Sequence, residues 1–486
     1  MSISELQRVF PGVSEGASGK PDMGRDRTKS TARPFLIYIN RCIGGKAARR
    51  CRKNIVFLLF EKFYPMSQTY EIRFPQQLRG RIMLPASKSI SARALIISAL
   101  AGGCRTEGLS DCDDTRVLRR ALELQEDVID IMAAGTAMRF ATAYFSAVPG
   151  RHVITGTARM RQRPIAVLVD ALRSLGADIA YIGETGYPPL RVEGRRLHGG
   201  VLELPADVSS QYISALLMIG PVLEEGLRLR LKGEIVSRPY IDMTLELMRQ
   251  YGACAEWDGG NEIVVAARPY RSGMAFRVEP DWSAASYWYE MVALSADPAA
   301  RIELPGLRRE SVQGDRETFR LFGRLGVSTT FDETGAVIGK SGARPETGAM
   351  EEDFTTCPDL AQTLVVTCAQ KGRPFAFDGL QSLKIKETDR INALHVELAK
   401  MGCVTDAGTR TMAWDGKKAE CPAGAPVAID TYDDHRMAMA FAPCALRTGS
   451  IRIRRPEVVS KSYPTFWDDL RSIGADIRPC NEDEKP

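Results

Sequence analysis

Leu168-Val-Asp-Ala-Leu-Arg-Ser-Leu-Gly176 decides the fold, because the same phrase returns four more times. It reappears as Leu245-Glu-Leu-Met-Arg-Gln-Tyr-Gly252, as Phe319-Arg-Leu-Phe-Gly-Arg-Leu-Gly326, from Leu394 to Gly402 and from Phe466 to Gly474. Each copy reads as an amphipathic helix that closes on a hydrophobic residue and a glycine before a short strand. Glycine belongs there because the position after a helix end favours positive φ. The five glycines lie 76, 74, 76 and 72 residues apart, too regular for chance. Val117–Leu124 reads as a degenerate first copy without the glycine. Six units of roughly 75 residues exceed the ~20–50 of common solenoids. Each can hold several strands and two helices. Two domains of three units, joined near 275–285, account for the length of 486 residues.

Outward from the repeat, charge separates the chain into a tail and a body. Residues 1–65 carry 13 Lys+Arg against 5 Asp+Glu, a net of +8, whereas residues 66–486 carry a net of −3. Bulk charge therefore does not support a nucleic-acid binder beyond the tail. Residues 1–65 read as a basic leader outside the fold, disorder-like in composition, with the body starting at Met66. The eleven cysteines are scattered without a CxxC pair and only four histidines occur, so neither a zinc site nor a disulfide framework is expected. A cytoplasmic protein is the expectation. The apolar run Ile55–Phe60 is too short for a membrane span or a signal sequence.

Polar chemistry gathers at expected strand-to-helix turns: Ser87-Lys88-Ser89, Ser209-Ser210-Gln211, Ser237-Arg238-Pro239-Tyr240, Lys386-Glu387-Thr388-Asp389-Arg390 and Asp433-Asp434-His435-Arg436. Free N–H groups and the helix dipole favour anions there. One such turn is an ordinary N-cap. Several with Lys or Arg, in both halves of one chain, point to a ligand with more than one anionic group. Arg159-Met-Arg-Gln-Arg163-Pro164 supplies three guanidinium forks, although a solvated basic turn competes. Gly135 lets backbone approach a ligand, though packing glycines are commoner. Lys386 and Arg390, at i and i+4, are expected on one face of a helix running to Gly402, with Glu387 beside Arg390. Asp359 sits at another helix-opening turn, where capping competes with a basic role. His435, lacking a Ser or Cys elbow, reads as an orienting hydrogen-bonder.

These residues resemble the EPSP synthase family, the 3-phosphoshikimate 1-carboxyvinyltransferases of the shikimate pathway. The likeness rests on Ser87–Arg93, Gly135–Arg139, Arg159–Pro164, Ser209–Gln211, Ser237–Tyr240, Lys386–Arg390 and Asp434–Arg436, in family order, and runs from about Tyr70 to Asp476. It implies an α/β fold of two inside-out α/β barrel domains, each of three βαβαββ repeats, with the ligand cleft between them. Residues 88–280 would form the first domain, and 66–87 with 281–480 the second. Shikimate 3-phosphate would meet Lys88, Ser89, Arg93, Ser209, Ser210, Gln211, Ser237, Tyr240, Asp359, Ser382 and Lys386. Phosphoenolpyruvate would meet Lys88, Gly135, Arg159, Gln211, Glu387, Arg390, Arg436 and Lys461. The family reaction adds the shikimate 5-hydroxyl to phosphoenolpyruvate and expels phosphate from a tetrahedral intermediate, as a monomer and without metal or organic cofactor. Asp359 is then the candidate base, Glu387 the carbon acid and Lys88 the charge stabiliser or proton source.

Ala86, Ala92, Ala133, Phe140 and Ser382 depart from the family pattern, and the stretch from Asp114 to Gly135 is short. None removes a charged catalytic group. A cysteine-bearing loop, expected in the related UDP-N-acetylglucosamine enolpyruvyl transferases, is absent near Arg159–Pro164. A catalytically silent anion-binding module is disfavoured by the full set of Lys88, Asp359, Glu387 and Arg436.

Overall fold

The computed structural model describes residues 68–342, 346–420 and 426–480. The expected leader, 1–65, lies outside the described residues. Twelve α-helices of six residues or more run through the described chain, and they fall into pairs. They are α1 Lys88–Leu100, α2 Asp113–Leu124, α3 Gly135–Ala147, α4 Ala166–Ser174, α5 Ser210–Ile219 and α6 Arg238–Gln250. Then come α7 Trp282–Leu294, α8 Thr318–Gly323, α9 Ala361–Lys371, α10 Arg390–Ala399, α11 His435–Phe441 and α12 Phe466–Ser472.

One unit shows the plan. Strand Val128–Asp130 lies parallel to Gly150–Thr155 with α3 between them. After α4, the hairpin Asp178–Tyr181 and Leu190–Gly194 returns antiparallel, its second strand against Gly150–Thr155. All five four-stranded sheets repeat this order. Two of them borrow strands from the start of the described chain. Strand β1, Thr69–Arg73, is inserted between Ile451–Arg454 and Asp476–Cys480. Strand β2, Arg79–Arg81, lies parallel to Arg301–Pro305. The sixth sheet holds only two strands, β3 (Arg105–Glu107) and Ala275–Arg277. In that first unit both helices are present and the hairpin is not, which is what the short stretch before Gly135 removes.

Apolar burial separates into two cores. One gathers residues between Ile90 and Val278, the other Ile72 to Leu84 together with Trp282 to Ile477. The first helix of each unit is central: α1, α3 and α5 pack on one another in one core, and α7, α9 and α11 in the other. Every residue of α11, and all but Ser283 of α7, is buried. Helices apolar on all sides must sit inside, with the sheets outside them. That is the inside-out α/β arrangement.

The repeated glycines do what their position requires. Gly176, Gly252, Gly326, Gly402 and Gly474 have φ of 99°, 86°, 88°, 78° and 91°. In four copies the next residue folds back on the helix, as Ala177 N–H does on the Leu172 carbonyl at 3.0 Å. Helix α2 ends the same way without glycine, on Gln125 at φ 45° and ψ 45°. One expectation is corrected. The helix ending near Gly402 starts at Arg390 rather than Lys386, because the Asp389 carboxylate caps it by accepting the Asn392 N–H. A short 3₁₀ turn, Gln381–Ile385, occupies the chain before it. No helix among the described residues is long and apolar enough to cross a membrane.

Candidate active site

The central helices of both cores begin around one hollow of about 350 Å³. Lys88 and Ser89 come from the start of α1, Gly135 and Thr136 from α3, Ser209 to Gln211 from α5, and Ser237 and Tyr240 from α6. The other core brings Asp359 from the turn before α9. It also brings Ser382, Lys386, Glu387 and Arg390 from the stretch opening α10, and His435 and Arg436 from α11. Unpaired N–H groups at helix starts would by themselves draw an anion here.

Two carboxylates organise the charges. Arg390 is 2 % exposed and spends its fork on both: Nη1 lies 3.0 Å from Asp359 and Nη2 2.9 Å from Glu387. Its Nε is anchored from behind by Asp434, at 2.6 Å and 0 % exposed, which also caps α11 by accepting the Arg436 N–H. Asp359 additionally receives Arg436 at 2.9 Å, Lys386 at 3.6 Å and the Tyr240 hydroxyl at 3.2 Å. Glu387 receives Lys461 at 3.1 Å, and its carbonyl accepts from Arg159 Nε at 3.3 Å. Burial alone would raise the Asp359 carboxyl, but Arg436, Lys386 and Arg390 outweigh it and hold it well below the usual range. Burial is likewise overcome at Glu387 by Lys461, Arg390 and Arg163. Lys88 is desolvated, which favours a neutral amine, yet Asp114 at 3.1 Å keeps it charged and raises it above its ordinary value. His435 is pushed well below its ordinary value by burial and by Lys88, so its imidazole is neutral.

Of the residues carried over from the family pattern, Lys88, Ser89, Arg93, Gly135, Ser209, Ser210, Gln211, Ser237, Tyr240, Asp359, Ser382, Lys386, Glu387, Arg390 and Arg436 line the hollow. Arg159 and Lys461 do not line it and instead hold Glu387 from outside. The Arg93 guanidinium is occupied by Thr244, Ser214 and the Ser89 and Tyr240 carbonyls, which ties α1 to α5 and α6. Lys386 and Arg390 meet at Asp359 although Lys386 precedes the helix. Sequence reasoning did not single out Asp114, Thr136, Asp281, Ser283 or Tyr287, all of which line the hollow, while of the three arginines in Arg159–Pro164 it is Arg163 that does so. Asp281 caps α7 and accepts the Lys88 N–H at 3.1 Å, a pairing 193 residues apart that no local pattern announces.

The model of the EPSP synthase (3-phosphoshikimate 1-carboxyvinyltransferase) family matches residues 72–124 and 115–470. The two stretches meet at α2, where the first unit lacks its hairpin. A 3-phosphoshikimate 1-carboxyvinyltransferase of Bacteroides fragilis is 56% identical over 418 residues, 85% of this chain and 100% of that protein. One from Sulfurovum sp. is 35% identical over 430 residues, 82% of this chain and 97% of its own length. Among solved structures, EPSP synthase from Acinetobacter baumannii superposes with a TM-score of 0.68 at 23% identity, covering 85% of this chain and 100% of that one. The enolpyruvyl transferase NikO from Streptomyces tendae gives 0.64 at 18%, over 85% and 99%.

Proposed function

Because the chain belongs to the EPSP synthase family, the 3-phosphoshikimate 1-carboxyvinyltransferases, we propose that its hollow joins phosphoenolpyruvate to the 5-hydroxyl of shikimate 3-phosphate. The activity is enolpyruvyl transfer with release of phosphate. The observation that carries the assignment of roles is the pair of buried carboxylates, Asp359 and Glu387, sharing Arg390 amid three further cations, Arg436, Lys386 and Lys461.

In the free protein both carboxylates are ionised and pinned, a poor state for proton transfer. The two anionic groups of phosphoenolpyruvate compete for the same cations. As Arg390, Arg436 and Lys461 turn to the ligand, Asp359 becomes a stronger base and Glu387 can hold a proton. Asp359 then takes the hydroxyl proton and Glu387 protonates the methylene carbon. Lys88, held charged by Asp114 in the free protein, stabilises the negative charge on the tetrahedral intermediate. Ser209, Ser210, Lys386 and the Ser237 turn are left for the acceptor and its phosphate. Residues 88–280, and 66–87 with 281–480, are read as two three-repeat domains, a division that the two separate cores support. We read the enzyme as a cytoplasmic monomer, and the net charge of −3 over residues 66–486 argues against a nucleic-acid partner.

Phosphate release from phosphoenolpyruvate tests the reading. It should proceed with shikimate 3-phosphate as acceptor and not with UDP-N-acetylglucosamine. The reverse preference would move the chain to the neighbouring enolpyruvyl transferases.

A further inference from the structure

Every cation lining the hollow is already held, except one. Lys88 has Asp114, Lys386 and Arg436 have Asp359, and Arg390 has three carboxylates. Arg93 and Arg139 are satisfied by hydroxyl and carbonyl oxygens. Arg163 lines the same hollow at 9 % exposure. Its buried Nε has no hydrogen-bond partner, and among the described residues its side chain makes no ion pair. A buried guanidinium without a partner is costly unless something else supplies the counter-charge. Glu387 attracts it without touching it.

The position of Arg163 says what that counter-charge is. Its guanidinium lies against Gly135, so close that a Cβ built on Gly135 would stand 2.5 Å from Nη1. Gly135 is the first residue of α3, a 13-residue helix whose start has no side-chain cap. A planar fork and free helix N–H groups therefore face the same volume, and a tetrahedral dianion suits both.

We propose that Arg163 is a phosphoenolpyruvate-binding residue, and that its guanidinium and the start of α3 together hold the phosphate group that the reaction releases. This rests on the enolpyruvyl-transfer reading. It adds a contact that the family pattern, which points to Arg159, does not include. Arg163 meets the phosphate without breaking an existing ion pair, whereas Arg390 or Arg436 must first let go of a carboxylate.

The test compares Arg163→Met and Arg163→Lys with wild type, all checked for unchanged melting. Arg163→Met should raise the KM for phosphoenolpyruvate and the inhibition constant of inorganic phosphate together by roughly tenfold to a hundredfold, the worth of a charge-assisted hydrogen bond. The KM for shikimate 3-phosphate should stay within about twofold. Arg163→Lys, keeping the charge and losing the fork, should fall between the two. If Arg163→Met fails to fold, Arg163→Lys alone still carries the phosphate-inhibition readout. Unchanged phosphoenolpyruvate and phosphate constants in a folded variant would overturn the proposal. Should wild type release no phosphate, the transfer reading fails. Calorimetry of inorganic phosphate against wild type and variant then still decides whether Arg163 binds it.

Discussion

Asp359 and Glu387 share Arg390, yet the steps proposed for them differ, so substitutions should separate them. Asp359→Asn keeps size and removes the proposed base; Glu387→Gln removes the proposed carbon acid. Each should lower kcat by about 10²–10⁴-fold while acceptor binding changes far less. Exchange of solvent deuterium into the methylene of phosphoenolpyruvate should collapse in Glu387→Gln above all. Exchange at the wild-type rate would move the carbon acid to Lys88. Away from the hollow, Glu290 on α7 is 0 % exposed; one oxygen accepts from Thr367 and the other has no partner. Burial pushes its carboxyl well above the ordinary 4.5. The folded protein thus keeps a proton that the unfolded chain gives up, and stability falls as pH rises above about 4.5. Glu290→Gln should therefore gain about 1–3 kcal/mol in urea unfolding at pH 8 and almost nothing at pH 4. The charged motif residues of the hollow were legible because helix-opening turns advertise them. What sequence could not show is which charges are already spent: Arg163 stood in plain view within Arg159–Pro164, and only the packing reveals that it has no partner.

At the scale of elements, the recurring helix ending was the clearest signal, since one glycine per unit fixed five helix boundaries. The start of α10 was misread because Lys386 and Arg390 fit a helical spacing, while the Asp389 cap takes precedence. The same logic identifies the weak unit. Gln125 adopts the left-handed conformation that glycine takes elsewhere, at about 1–2 kcal/mol for a residue with a Cβ. Gln125→Gly should raise stability by up to about 1 kcal/mol, readable as a higher urea midpoint with an unchanged slope. Phe140 on α3 replaces the family's proline, is fully buried, and lies under the Arg93 guanidinium at 5.4 Å. It thereby couples α3, whose first turn faces the hollow, to α1. Glyphosate, which competes with phosphoenolpyruvate in the family, should inhibit this chain less tightly than phosphoenolpyruvate binds. Inhibition as tight as substrate binding would refute this.

At the scale of the whole molecule, the two cores and six sheets of the described residues run from Thr69 to Cys480. A chain begun at Met66 should therefore keep its melting temperature within about a degree and its activity nearly whole. A loss of several degrees would place part of 1–65 in the fold. The count of three units and three agrees with the separation of apolar burial into two cores. The exchange of strands between distant parts of the chain was not legible in the sequence, because three-residue strands such as β2 carry almost no pattern of their own. That exchange has a consequence for how the protein is made. Strand β1 leaves the ribosome early, yet both its partners, Ile451–Arg454 and Asp476–Cys480, are among the last segments translated. At about 5–20 residues per second the nascent β1 waits roughly 20–80 s for a partner. The core from Ile90 to Val278 has meanwhile emerged in full and can consolidate. Translation thus imposes an order, inner half first and outer half last. A chain halted after Val278 would carry β1 and β2 as naked edges, the kind that recruit other nascent chains into aggregates.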